Sequence, residues 1–320
     1  MKLVPAEGRI LEQILDESHE IWSDGLTREA YGRYNLAQMR TPWGARNLRR
    51  LALVDGGGNL LSSAKRYDLR ATLDGREITV IGIGAVFTPR RKRGRGHARE
   101  LIERMLAGAA ADGAELALLF SEIDPGFYER MGFVAVLRHE LLVRARDAKG
   151  APMVLARAAD DRDIPAVADI ARSMARAHRF ALVHDDAFLR YGISKKRLLA
   201  GMLKPGILSV EFHIVEEGPG AVAFAVLTRT EDDVVLEMCG DRDPTGARVG
   251  ALLQVLRART PAEHLPPIQC FLPPGWLPPQ LEIASRTEVR EVMMVRPLRP
   301  DVLRTPLREE DVLYWHGDLF

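Results

Sequence analysis

Gly84-Ala-Val-Phe-Thr-Pro-Arg-Arg-Lys-Arg-Gly-Arg-Gly-His-Ala98 joins two kinds of periodicity. Before it runs Ile78-Thr-Val-Ile-Gly-Ile-Gly-Ala-Val-Phe-Thr88, an apolar, β-branched strand. After it, Leu101, Ile102, Met105 and Leu106 fall at helical spacing, so a helix starts just past Gly96. Upstream, Leu51–Val54 runs through the turn formers Asp55-Gly-Gly-Gly-Asn59 into Leu60-Leu61 and onward, and a further strand ends at Leu73 and turns on Asp74-Gly75, which makes a three-stranded antiparallel meander. Two helices precede the meander, one carrying Ile10, Leu11, Ile14, Leu15, Ser18 and Ile21, the other starting near Thr27 as N-cap.

A loop with this setting has a specific electrostatic character. Its glycines let the backbone turn tightly and aim several N–H groups at one point, where the following helix adds its partial positive charge. A pyrophosphate suits such a cradle, because it offers several acceptor oxygens. Arg90, Arg91, Lys92, Arg93, Arg95 and Arg99 surround it. A glycine loop alone is a weak signal, and the bland reading of these arginines is a solvated face or a nucleic-acid patch. The antiparallel meander sets the loop apart from a parallel dinucleotide-binding unit, and no aromatic residues interleave with the basic ones.

Downstream come a buried-looking strand, Leu116–Phe120, the segment Phe127 to Phe133, and short strands near Val134–Leu137 and Leu141–Val143, read as the end of the first unit. Arg144–Pro152 is polar and turn-rich, a linker. Beyond it the order of elements restarts. An opening strand from Met153 is followed by a helix capped by Asp160 or Asp161 that carries Ile164, Val167, Ile170 and Met174. Strands at Leu208–Val215, Ala221–Leu227 and Val234–Met238 then lead to a helix at Val249–Leu256. The expected fold class is therefore α/β (α+β), an internal structural repeat of two mixed, mainly antiparallel sheets flanked by helices. The second copy lacks paired glycines near Cys239–Arg248, so it is expected to complete an acceptor pocket without a donor site, with Glu237 and Asp241 as solvated loop acids.

Bulk properties narrow the class. The chain has 320 residues, 47% hydrophobic and 28% charged, with a net charge of +1. That balance predicts a soluble protein of two domains and argues against a general polyanion-binding surface. No apolar run approaches the roughly 20 residues of a membrane span, and acidic residues occupy the place of a signal peptide's apolar stretch. Two cysteines, Cys239 and Cys270, suit a reducing cytoplasm and are too few for a disulfide framework or structural zinc.

Two motifs now carry a family resemblance. Arg93-Gly94-Arg95-Gly96-His97-Ala98 resembles the Arg/Gln-x-x-Gly-x-Gly/Ala loop of the GCN5-related N-acetyltransferase (GNAT) superfamily; Arg91 to Gly96 is a second register that fits. Phe127-Tyr-Glu-Arg-Met-Gly-Phe133 resembles that superfamily's Phe-Tyr-x-x-x-Gly-Phe signature. The resemblance covers roughly residues 1–145. It implies acetyl-CoA as co-substrate, with the loop residues on its pyrophosphate and the backbone of Ala85, Val86, Phe87 and Thr88 along its pantetheine arm. It also implies Tyr128 as general acid for the departing thiolate. A packed aromatic is the alternative role for Tyr128.

The whole chain is similar to tandem-GNAT enzymes of the Eis type, which acetylate amines such as aminoglycosides. There the C-terminal carboxylate serves as base, which implies that role for Phe320. In that family Ser121-Glu122 and Tyr128 sit as they do here, so Ser121 is counted with the donor-binding residues. The third, sterol-carrier-like domain of those enzymes is not expected among these 320 residues. Within the first unit, Glu122 and Asp124 are the acids available as base, with an exposed loop acid and an ordinary turn former as their bland readings. Ile83-Gly-Ala-Val-Phe-Thr-Pro and Leu119-Phe-Ser-Glu-Ile-Asp also resemble fungal lysine N6-acetyltransferases, which implies lysine or a similar small amine as acceptor. The resulting expectation is a catalytic unit over 1–145, a degenerate one over 152–298, and a tail over 299–320 docking on the first. The partner expected is a small-molecule amine, with no nucleic acid, membrane or metal, and a second copy of the chain is the further candidate. A coenzyme A sensor without turnover and a protein acetyltransferase are the competing functions.

Overall fold

The computed structural model describes residues 1–123, 125–147, 154–218, 220–259 and 266–320. Asp124, most of the linker and Met153 lie outside the described residues.

The first unit begins with β1 (Lys2–Pro5), α1 (Gly8–Trp22), α2 (Arg28–Arg40) and the short α3 (Gly44–Asn47). Helix α1 buries Ile14, Leu15 and Ser18 on its apolar stripe, and the Thr27 hydroxyl accepts from the Ala30 N–H to cap α2, as the sequence predicts. The meander follows as β2 (Leu48–Val54), β3 (Leu60–Leu73) and β4 (Arg76–Phe87). Asp74 and Gly75 both have positive φ, 50° and 78°, the geometry that matches the right-handed twist of a tight hairpin. Helix α4 (His97–Ala111) then crosses over to β5 (Leu116–Ser121), which lies parallel to β4. Next come α5 (Gly126–Glu129), β6 (Val134–Val136) and β7 (His139–Ala145).

The second half contains β8 (Leu155–Ala158), α6 (Ile164–Ala175), β9 (Phe180–Leu182), α7 (Asp186–Met202), β10 (Ser209–Glu217), β11 (Gly220–Arg229) and β12 (Val234–Asp241). It continues through α8 (Ala247–Ala258), β13 (Ile268–Cys270), β14 (Leu281–Glu288), β15 (Val292–Pro297) and β16 (Val312–Leu313). Two mixed, mainly antiparallel sheets result, one running β1-β2-β3-β4-β5-β15-β6 and the other β14-β7-β13-β12-β11-β10-β8. The cap of α6 falls later than expected, at Asp163 rather than Asp160 or Asp161, with Pro165 in the first turn.

The strand Leu141–Val143 does not finish the first sheet. β7 pairs with β13 and β14 in the second sheet, and β15 takes the place beside β5, from Val292↔Ser121 to Pro297↔Leu116. Each sheet thus contains a strand from the other half. Met293, Met294 and Val295 of β15 are fully buried, so the exchange runs through the core. Chain alternation shows which face of such a strand is apolar, but it cannot show which sheet receives it.

The tail is built in as firmly. β16 lies parallel to β9, which extends β3, and buried Arg138 donates to the carbonyls of Tyr314 and Leu272, both at 2.8 Å. Its guanidinium lies 4.3 Å from the Tyr314 ring centroid, a cation–π contact. Asp318 accepts from the Trp315 N–H at 2.8 Å and pairs with His184 at 2.6 Å. The tail then passes over the second sheet where β12 parts from β13. That pairing ends at Leu236↔Cys270, and a Cβ on Gly317 would stand 3.2 Å from the Glu237 carbonyl.

Glu237 and Asp241 are buried rather than solvated. Glu237 accepts from Lys196 at 2.8 Å and from Thr228. The Asp241 carboxylate accepts from the N–H groups of Arg248 and Val249 in the first turn of α8, and from that of Asp243. A protein carboxylate thus sits on the helix N-terminus that an anion would otherwise take. Asp241→Ala is expected to cost about 1–3 kcal/mol, because it strands those donors in the interior. Urea unfolding measures it, and an unchanged midpoint would exclude this capping role.

Candidate active site

In β4 the pairing with β5 stops at Ile83↔Leu119. Opposite β3, Ser63 pairs with Phe87 and Lys65 with Gly84, so β4 carries one extra residue there. Ala85 absorbs that bulge with φ of 47°, rare for a residue with a side chain, and the strand bends away from β5. A wedge opens between the two strands. Its walls include Gly84, Ala85 and Val86 on one side and Phe120, Ser121 and Glu122 on the other, around a cavity of about 300 Å³.

Tyr128 and Phe320 reach the same cavity. Tyr128 comes from α5, is 7% exposed, and packs edge-on against Phe127 and Phe133. Burial, helped by the nearby Glu122 charge, pushes its phenol up to about 12. Phe320 arrives from the opposite side. Its ring packs at a tilt of 38° against that of Tyr67, centroids 4.5 Å apart, and its terminal carbonyl lies so near β4 that a Cβ on Gly84 would meet it at 2.8 Å. Lys195 of α7 donates to the Leu319 carbonyl at 3.0 Å and fixes the approach. Glu122 is exposed at the rim; partial desolvation there, with Glu291 and Asp24 facing it, raises its carboxyl pKa. The Ser121 hydroxyl is directed to the Ile123 carbonyl at 2.9 Å.

Other residues singled out in the sequence sit off this wall. The Phe87 carbonyl accepts from the Ser62 hydroxyl, which also meets that of Thr88, so this end of β4 is tied to β3. Arg93 donates to the Thr88 carbonyl. Gly94 and Gly96 have φ of 74° and 78°, with nothing within 4 Å of a would-be Cβ. Gly96 is the N-cap of α4 and brings no side-chain oxygen, so the amides opening at His97 and Ala98 have no side-chain cap. Arg95 and Arg99 are exposed, whereas Arg90 and Arg91 pair with Glu20 and Glu17 of α1. This open, uncapped helix end fits a diphosphate, and the same end of α8, filled by Asp241, does not.

Sequence reasoning missed several charged residues that also line the cavity: Asp24, Arg50, Lys65, Lys195 and Glu291. Arg50 and Lys65 carry no role in the sequence reading; residues of α2 and α7 line the cavity with them.

Residues 10–136 match the acetyltransferase (GNAT) domain family. No curated protein matches the chain in sequence. Among solved structures, a GCN5-related N-acetyltransferase from Anabaena variabilis superposes with a TM-score of 0.69 at 11% identity, over 93% of this chain and 73% of that one. Eis1 from Mycobacterium abscessus gives 0.56 at 11% identity, over 93% and 74%. A tandem GNAT protein from the clavulanic acid biosynthesis pathway gives 0.54 at 12%, over 94% and 99%. At such identities the likeness shows the fold. Residues 10–136 thus match the GNAT acetyltransferase domain model, and the chain as a whole shares the fold of tandem-GNAT proteins.

Proposed function

We propose that the chain transfers the acetyl group of acetyl-CoA to a primary amine of a small molecule, lysine-like or aminoglycoside-like. The observation that carries this reading is the meeting of Tyr128, Glu122 and Phe320 at one cavity where β4 parts from β5. The uncapped turn of Gly94, Gly96, His97 and Ala98 supports placing the donor's diphosphate on α4, with Ala85 and Val86 along its pantetheine arm. When bound, the donor supplies an activated thioester carbonyl. The amine nitrogen bonds to that carbon as the C–S bond breaks. Tyr128 gives its hydroxyl proton to the sulfur, and the Phe320 carboxylate takes the proton lost by nitrogen, with Glu122 as the alternative base.

The test is thiol release over a panel of amines, together with calorimetry of acetyl-CoA. Acetyl-CoA is expected to bind the intact protein, and Gly96→Ala to weaken it about ten-fold, because a side chain at positive φ strains the turn that aims the amides. No heat of binding, or binding with no amine turned over, would overturn the reading; the latter is the behaviour of a coenzyme A sensor.

A further inference from the structure

Arg50, Lys65 and Gly84 form one row across β2, β3 and β4, each residue directly opposite the next. Side chains so paired share a face of the sheet. The row ends at Phe320, whose carbonyl lies on Gly84. With strands about 4.8 Å apart, Lys65 stands one step from that point and Arg50 two.

Arg50 is 4% exposed, yet no carboxylate pairs with it among the described residues. Its Nη2 donates to the neutral Asn35 side chain at 3.4 Å, and its Nη1 makes no hydrogen bond. The Gln38 Nε2 on the same cavity wall is likewise buried without an acceptor. Lys65 and Lys195 complete a cationic floor, and burial together with repulsion from Arg50 and Lys195 lowers the Lys65 ammonium well below its usual range, the Asp24 charge opposing that only in part. Buried, mutually repelling cations are costly unless an anion joins them. The Phe320 carboxylate does not serve, since it forms no ion pair with Arg50 or Lys65 among the described residues. At the rim, Asp24, Glu122 and Glu291 give the cavity an acidic side.

We propose that the acceptor is an amine that also carries a carboxylate, which binds Arg50 and Lys65 while the amine faces Tyr128 and Phe320. This rests on the acetyltransferase reading and narrows it to amino-acid-like acceptors over polycationic ones.

Matched pairs test it: lysine with 1,5-diaminopentane, ornithine with 1,4-diaminobutane, and 6-aminohexanoate with pentylamine. Each pair differs by a carboxylate alone. The carboxylate member of at least one pair is expected to be favoured about 10- to 100-fold in kcat/KM, mostly through KM, the range of a charge-assisted hydrogen bond. Arg50→Gln is expected to collapse that ratio, and Lys65→Gln to reduce it. Equal turnover within every pair, or a ratio that survives Arg50→Gln in folded protein, overturns the carboxylate assignment alone. If that variant does not fold, the wild-type ratios decide. Binding of acetyl-CoA without thiol release from any amine overturns the reaction, and this assignment with it.

Discussion

Tyr128→Phe is expected to lower kcat about 100-fold or more while acetyl-CoA affinity stays within a factor of about two, the range for losing a positioned acid. The phenol is a proton donor held by packing on the wall of the cavity that Ser121 also lines. Its elevated value, about 12, has two consequences. The hydroxyl keeps its proton throughout the neutral range, so the acid is always loaded. The burial that raises it also disfavours a bare thiolate beside it, which keeps donor and recipient comparable in proton affinity. The sign of the pH dependence follows. Raised above its usual 10, this acid contributes no alkaline fall in kcat below about pH 10, and the rising limb at lower pH belongs to the base and the amine. A kcat–pH profile of wild type and Tyr128→Phe checks both points. A descending limb near pH 8 that the substitution abolishes would contradict this account, as would a variant with full kcat.

The parts of this site that were legible in the sequence are those governed by local backbone rules. Gly94 and Gly96 had to adopt positive φ before an uncapped helix, and the Asp74-Gly75 turn fixed the register that sets Lys65 against Gly84. Tyr128 was legible through its spacing to Gly132 and Phe133. What stayed hidden depends on contacts between distant segments. Arg50 and Lys65 drew no attention, because nothing local reveals that Lys195, more than a hundred residues later, lines the same cavity. Asp241 read as a loop acid although it caps α8, and β7 and β15 carry no mark of having exchanged sheets. Interior charge and strand exchange are tertiary facts, decided by which surfaces meet.

Displacing Phe320 is expected to have an effect of similar size. Gly84→Ala puts a methyl carbon 2.8 Å from the Phe320 carbonyl oxygen and 2.9 Å from its carbon, closer than real contacts allow. Little can yield. β4 is held by its ladder to β3, and the tail is anchored by Lys195 on Leu319 and by His184 on Asp318. The terminal group must therefore swing off the wall by an ångström or so, and a shift of about 1 Å in a positioned group can cost roughly 100-fold. Removing Phe320 altogether withdraws the group by about one residue length, some 3.5 Å, and leaves the cavity floor uncovered. Both changes are expected to lower kcat at neutral pH about 100-fold, with acetyl-CoA binding unchanged, since α4 and its glycine turn lie elsewhere. The pH profile separates a base from a wall. If the carboxylate accepts the proton, the deficit shrinks as pH rises toward the amine's own pKa, because more of the acceptor then arrives neutral. If Phe320 only shapes the cavity, KM for the amine rises, kcat holds, and the deficit is the same at every pH. The second pattern would return the base to Glu122, the other carboxyl proposed for it, whose pKa partial desolvation at the rim raises.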